Sequence, residues 1–319
     1  MIDHLLALDP GARGIARFFV AGGAASAARA LYRGGRALLT TGFALGPGLP
    51  ETDGPPGAAV LGRALRRLGS EVVYVTDAVT VPPLEAALKV LGEPADIVTF
   101  HASAGGAEET ARRLLAEYTP AFLVAVERPG RTASGDYLSM RAESVRDWNG
   151  PLDALFLARP PRGGRRLVTI GVGDGGNEIG MGNVRARVAR VSAQARRFAS
   201  VVTVDHLVVA GTSNWGAYGI VAELSRLAGR DLLHTSDEEQ AMVVACVQAG
   251  AVDGVTRRGE PTVDRLPSGA HTGILELLRV AATDGGPAAG STSTESKSRR
   301  GRSKRRRTKS KSRRGGRAR

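Results

Sequence analysis

The stretch EVVYVTDAVTVPPLEAALKVLGEPADIVTFHASAGGAEETARRLLAEYTPAFLVAVE, residues 71–127, alternates short apolar runs with amphipathic segments. EVVYVT (71–76), DIVTF (96–100) and AFLVAV (121–126) are continuous apolar runs of strand length. Between them Leu84, Ala87, Leu88 and Leu91, then Ala111, Leu114, Leu115 and Tyr118, recur at the spacing of one helical face. Strands that are apolar on both sides and joined by such helices belong to a parallel sheet covered on both faces. The fold class is therefore α/β, with a mostly parallel sheet.

The pattern continues in both directions. Upstream, ALLTTG (37–42) reads as a strand, and a helix bearing Leu61, Ala64, Leu65 and Leu68 stops at Gly69. The turn-rich ALGPGLPETDGPPG (44–57) joins them, and the Ala/Gly-rich residues before Arg36 read as one or two helices. Downstream, DALFLA (153–158), RLVTIGV (166–172), VVTVD (201–205) and LVVAG (207–211) read as further strands. Three helices follow, at about 214–228, from Ser236 to Gly250 and at about 272–282; Ser236 and Glu239 spell a capping box.

Charge is unevenly placed. The net charge is +13, yet Ser291 to Arg319 holds 14 of the 44 basic residues and one of the 31 acids, leaving 30 of each in 1–290. Two regions are expected: an α/β domain over 1–284, and a disordered Lys/Arg-rich tail over 285–319 that has no large apolar residue to bury. The tail is a candidate for non-specific nucleic-acid contact, whereas the neutral domain is not. Cys246 is the single cysteine, so an internal disulfide and a cysteine-based zinc site are excluded. No secretory pattern opens the chain and no apolar stretch reaches the ~18 residues of a membrane helix, so no membrane partner and a cytoplasmic setting are expected. Self-association into a homo-oligomer is left open by the composition.

Asp77, His101, Glu127, Asp174 and Asp205 each close an apolar run, and the C-terminal ends of parallel strands share the edge where ligands bind. Carboxylates gathered there need protons or a cation between them. TIGVGDGGNEIGMGNV (169–184) sets Asp174, Asn177 and Glu178 among six glycines, a loop able to close around a small ligand or ion with hard oxygen donors. It also spells G-x-G-x-x-G at Gly171, Gly173 and Gly176, but Asp174 and Glu178 would then face a pyrophosphate, so the dinucleotide reading is weak. ERPGRTASGDY (127–137) offers Arg128, Arg131 and Ser134 as a carboxylate grip, and AGTSNWGAY (210–218) places Ser213 and Asn214 at a helix N-terminus. There is no H-x-x-x-H pair, nucleophile elbow or Walker loop.

Taken together, TTGF, ETDGPPGA, VTDA, ERPGRTASGDYLSMR, PLDALF, TIGVGDGGNEIGMGNV, the Asp205–His206 pair, VAGTSNWGAY and AGAVDGVT resemble the C-terminal, catalytic-type domain of the D-glutamate cyclase family, over roughly Leu38 to Leu278. The resemblance implies a lyase that converts D-glutamate to 5-oxo-D-proline with loss of water, and a divalent cation on acidic side chains. Departures from the family are expected in the basic tail and in the absence of the extra N-terminal domain of some members. Set against that chemistry, Asp174 and Glu178 are the expected cation ligands, for Mg²⁺ first and Ca²⁺ or Mn²⁺ as alternatives. Asp205 or Glu127 is the expected acid or base, with Asn177 beside them. Arg128, Arg131, Ser134, Asn214 and Asp53 are the expected substrate contacts. Two other readings compete: a metal-dependent hydrolase of a small phosphorylated substrate, and a nucleic-acid-associated protein acting through its tail.

Overall fold

Six strands form one sheet: β1 (Ala37–Thr41), β2 (Val72–Thr76), β3 (Ile97–Thr99), β4 (Phe122–Val126), β5 (Val168–Gly173) and β6 (His206–Val209). The computed structural model describes residues 1–101, 105–158 and 166–283. The order across the sheet is β3-β2-β1-β4-β5-β6 and every pairing is parallel. The chain begins in the middle, steps outward to β3, returns to β4 beside β1, and steps outward the other way. That reversal opens a crevice at the C-terminal ends of β1 and β4, because the loops leaving them diverge.

Eleven α-helices are found among the described residues: α1 (Ile2–Leu6), α2 (Gly23–Leu31), α3 (Pro55–Arg67), α4 (Val81–Val90), α5 (Ala107–Tyr118), α6 (Ala154–Leu157), α7 (Arg185–Val188), α8 (Ala193–Phe198), α9 (Ser213–Ala228), α10 (Ser236–Gln248) and α11 (Ser268–Thr283). The two-residue period of a strand sends alternate side chains to opposite layers. Leu39, Val124 and Val172 join the core formed with α2, α3, α4, α9, α10 and α11. Leu38 and Leu123 pack on α5 and α6 instead, and Ala125 and Leu207 on the layer containing α7 and α8. Both faces are covered, as the apolar runs require.

Small residues decide how closely the layers approach. A side chain at Gly216 of α9 would strike Val172 of β5, and one at Gly219 would strike Leu6 of α1. Helix α9 is buried over most of its length, from Ser213 to Ala222. Its N-terminus therefore reaches the C-terminal edge of the sheet at a fixed position.

Three local expectations are corrected. Residues 153–158 are not a strand, because Ala154–Leu157 is a turn of helix; four apolar residues carry no periodicity that separates the two. Val201 to Asp205 lies outside the sheet, with the Val201 N–H donating to the Arg131 carbonyl at 2.9 Å, and the sheet strand starts only at His206. The capping box of α10 sits one residue earlier, on Thr235 and Glu238. This frees Glu239 to turn inward, where it accepts from Tyr218 Oη at 2.7 Å and pairs with His234 at 2.7 Å.

Cys246 is buried, which pushes its thiol up out of the reactive range. Among the described residues no helix is long and apolar enough to cross a membrane. The basic tail and the expected boundary at 284 lie outside the described residues.

Candidate active site

Three loops meet at the crevice: residues 42–54 after β1, the segment opening at Glu127 after β4, and the glycine-rich turn opening at Asp174 after β5. Asp53, at the end of the first, is held by the start of α9. Its carboxylate accepts the backbone N–H of Ser213 at 2.9 Å and of Asn214 at 2.9 Å. An acid at a helix N-terminus meets the unpaired amides of the first turn. The hold is reciprocal, for Asn214 Oδ1 accepts the N–H of Gly54 at 3.0 Å and of Gly57 at 2.8 Å. The ETDGPPG and SNWG segments are thus two halves of one clamp. Gly54 has φ +101°, and a Cβ there would stand 2.7 Å from Thr41 Oγ1 and 2.9 Å from Glu127 Cβ, so only glycine lets this loop lie against β4.

Glu127 is the first residue past β4 and has φ +46°, a left-handed conformation unusual for glutamate. Such strain persists where surrounding contacts impose it. Here the Ser213 hydroxyl donates to Glu127 Oε2 at 2.5 Å, tying the carboxylate to α9. Asp174 opens the glycine-rich turn. Glu178 closes that turn on itself, accepting the N–H of Asp174 at 2.9 Å, Gly175 at 2.6 Å and Gly176 at 2.7 Å. These amides are the ones a pyrophosphate would need, so the loop already holds its own anion and is closed to a dinucleotide. Asn177 donates through Nδ2 to the Leu138 carbonyl at 2.8 Å and lines the same cavity.

One carboxylate oxygen each from Asp53, Glu127 and Asp174 lie within 4.8 Å of one another, and all three residues are buried. Three such oxygens are hard donors and could hold a divalent cation. Arg13 reaches in from the N-terminal segment, pairing with Asp174 and, at 2.5 Å, with Asp264. A cavity of about 260 Å³ opens above these groups, with Phe43 and Leu45 on its apolar side and Arg141 and Arg257 also on its wall.

The electrostatics follow from burial and crowding. Asp53 is pushed up to about 7, first by burial and then by the charge of Asp264, against the amides of Asn214 and Ser213. Burial also raises Glu127, reinforced by Asp174 and Glu178. It raises Asp174 although Arg13 opposes the shift, and it raises Glu51, with Asp264 adding to the effect. A group of carboxylates that resists losing all its protons calls for a cation.

A family model described as D-glutamate cyclase-like, C-terminal, matches residues 2–279. The chain belongs to this family. It is also similar to the human protein D-glutamate cyclase, mitochondrial, at 36% identity over 238 residues, which cover 70% of this chain and 38% of the human protein. The chain thus spans well under two thirds of that relative's length.

Within this D-glutamate cyclase-like chain the structure brings together Asp53, Glu127 and Asp174, with Asn177 on the cavity wall and Asn214 and Glu178 as loop clamps behind them. Glu178 was expected as a cation ligand, but its carboxylate is turned onto three amides and stands outside the converging trio. Asp205 does not join them. It precedes β6 and so lies at the opposite edge of the sheet, accepting from the Thr169 N–H at 2.9 Å and from Arg166 at 2.8 Å.

The expected carboxylate grip is likewise displaced. Arg128 is fully buried and donates to the carbonyls of Gly42 at 2.9 Å and Gly150 at 2.7 Å, besides pairing with Asp77 at 2.5 Å. Arg131 is bound to Asp153 at 2.6 Å on the wall of a separate cavity, which His101 and Asp77 also line. Ser134 is exposed and bonded to Thr132 at 2.9 Å. Arg13, Asp264, Arg141 and Arg257 were not anticipated as site residues. Nothing marks Arg13 in a stretch read only as helical, and Asp264 follows no apolar run.

Proposed function

We propose that this chain catalyses the closure of D-glutamate to 5-oxo-D-proline with loss of water. The observation that supports it is the buried trio of Asp53, Glu127 and Asp174 at the crevice of a D-glutamate cyclase-like chain. The cavity, about 260 Å³, lies just below the range of about 300–1,000 Å³ typical of larger ligands, which suits a small amino acid.

The reaction forms a bond between the amine nitrogen and the γ-carboxyl carbon. One γ-oxygen leaves, and the two hydrogens lost by the ammonium depart with it as water. Glu127, raised by burial and aligned by Ser213, is placed to take a proton from the ammonium and free its lone pair. The proton taken up by Glu127 can then be passed to the departing oxygen, so both hydrogens of the water come from the ammonium. Asp53, Glu127 and Asp174 would hold the cation, with Mg²⁺ as the proposed ion. When bound, such an ion polarises the γ-carboxyl group as a Lewis acid. The walls hold the substrate folded and limit water, and proximity then replaces a bimolecular encounter.

The test is chiral chromatography of D-glutamate incubated with purified protein and Mg²⁺, with and without EDTA, alongside Asp174→Asn. The expected results are 5-oxo-D-proline from the unaltered protein and a loss of about 10²-fold or more in Asp174→Asn with the melting transition retained. Absence of product under all conditions, or full activity in Asp174→Asn, overturns the reading.

A further inference from the structure

Two buried acids of the cavity wall have no part in the trio. Glu51 and Asp264 line the cavity, are 6% and 7% exposed, and their Glu51 Oε1 and Asp264 Oδ2 atoms have no hydrogen-bond partner. Buried carboxylate oxygens without donors are costly, and a donor brought by a ligand removes that cost. Arg13 serves Asp264 through Oδ1 and leaves Oδ2 open.

The surrounding backbone keeps this corner both rigid and empty. Asp264 and Arg265 are consecutive left-handed residues, at φ +56° and +66°. Asp253 fixes their loop, accepting the N–H of Val255 at 2.9 Å, of Thr256 at 2.8 Å and of Arg265 at 2.7 Å, and the Thr262 hydroxyl at 2.7 Å. At Gly254 a Cβ would collide with the Glu51 carboxylate and stand 3.4 Å from Asp264 Oδ1, so the absent side chain is what leaves space beside both acids. The accessible part of the same wall carries the opposite charge. Arg141 is exposed and Arg257 is one-third exposed, each anchored by one bond, Arg141 to the Val255 carbonyl at 3.0 Å and Arg257 to Glu143 at 2.7 Å.

We propose that Glu51 and Asp264 are the seat of the substrate's ammonium group, so that an amino acid enters amine first with its α-carboxylate toward Arg141 and Arg257. This deepens, and rests on, the amino-acid reading of the site. An ammonium supplies three donors in a compact volume, matching the open oxygens, and it brings the amine to the side of the cavity where the charge of Glu51 bears on Glu127. The γ-carboxyl group then folds back toward the trio, and the α-carboxylate is the group left for the guanidiniums.

Glutarate, which is glutamate without its amine, isolates the contribution. At fixed Mg²⁺, KM and kcat for D-glutamate and the binding constant of glutarate are measured in the unaltered protein, Glu51→Gln, Asp264→Asn and Gly254→Ala. The expected result is a rise in KM of about tenfold or more in each variant, a smaller change in kcat, and glutarate binding kept within about twofold. Equal weakening of glutarate, as loss of a second cation site would give, overturns the proposal, and so does an unchanged KM. The unaltered protein decides the matter even if the variants fail to fold. Calorimetric titration with D-glutamate, L-glutamate and glutarate must show an amine-bearing ligand held at least tenfold more tightly than glutarate, and parity overturns the proposal. If that preference holds but no lactam forms, the ammonium seat stands and the cyclase reading falls.

Discussion

Glu127 shows how far a single residue departs from what its neighbours in the chain suggest. It closes an apolar strand, which is enough to place it at the ligand-binding edge of a parallel sheet, and the same reasoning locates Asp174. What the local text does not carry is its left-handed backbone or its partner Ser213, which lies far along the chain at the start of another helix. Arg13 is the opposite case, a basic residue with no local context that nevertheless pairs with two buried acids. Asp205 was placed wrongly for a definite reason. VVTVD has the composition of a strand and ends at the aspartate, but the paired strand begins one residue later, so Asp205 marks a strand's start and not its end. The Ser213 hydroxyl is expected to matter for orientation more than for folding. In Ser213→Ala kcat should fall about tenfold, because a hydrogen bond to a charged group is worth roughly 1.5–3 kcal/mol, while the melting temperature stays within a few degrees. Steady-state kinetics and calorimetry on the same preparation check this, and an unaltered kcat would mean that Ser213 does not orient Glu127.

At the level of elements, the glycine-rich turn after β5 was legible as a special loop, but its inner wiring was not. Its oxygen-bearing residues suggest a cation site, and the count alone cannot tell which acid faces the ligand and which faces the backbone. Three amides pointing at Glu178 settle that. Glu178→Gln keeps the shape of the side chain and removes its charge, and one amide must then meet an NH₂ group. A destabilisation of about 1–3 kcal/mol is expected, read as a lower urea midpoint with an unchanged m-value. Faster amide exchange at Gly175 and Gly176 should accompany it. Stability equal to that of the parent would mean that the turn is held by its other contacts. The strands β1 to β5 were readable because continuous apolar runs have few other uses, whereas Ala154–Leu157 was misread because four residues cannot display a period.

For the molecule as a whole, the distribution of buried acids sets a pH profile. Asp53 at about 7, with Glu51, Glu127 and Asp174 also raised by burial, favours the native state while these groups are protonated. That contribution is complete below the ordinary carboxylate range and is lost as pH climbs through the raised values. Asp205, Asp253, Glu238 and Glu239 work the other way, since hydrogen bonds and cationic partners hold them low against the effect of burial. Their contribution is lost as pH falls through their lowered values. Protein stripped of divalent ions should therefore melt highest near about pH 5 and lose melting temperature toward pH 7 and above. Added Mg²⁺ should raise the melting temperature more at about pH 8 than at about pH 5, because it binds the ionised trio. Scanning calorimetry across that range decides it, and a metal-free melting temperature that climbs steadily to pH 8 would contradict the assignment of the buried acids.

The bonds that join Asp53 to the first turn of α9 span 160 residues of sequence. A nascent chain that has threaded as far as β5 owns two of the three acids, Asp53 and Glu127, but lacks the helix end that aims the first and the hydroxyl that aims the second. Affinity for the cation should accordingly appear late in biosynthesis, all at once, when α9 docks. A metal-sensitive probe could then serve as a readout of completed folding, silent toward every truncated or misassembled form.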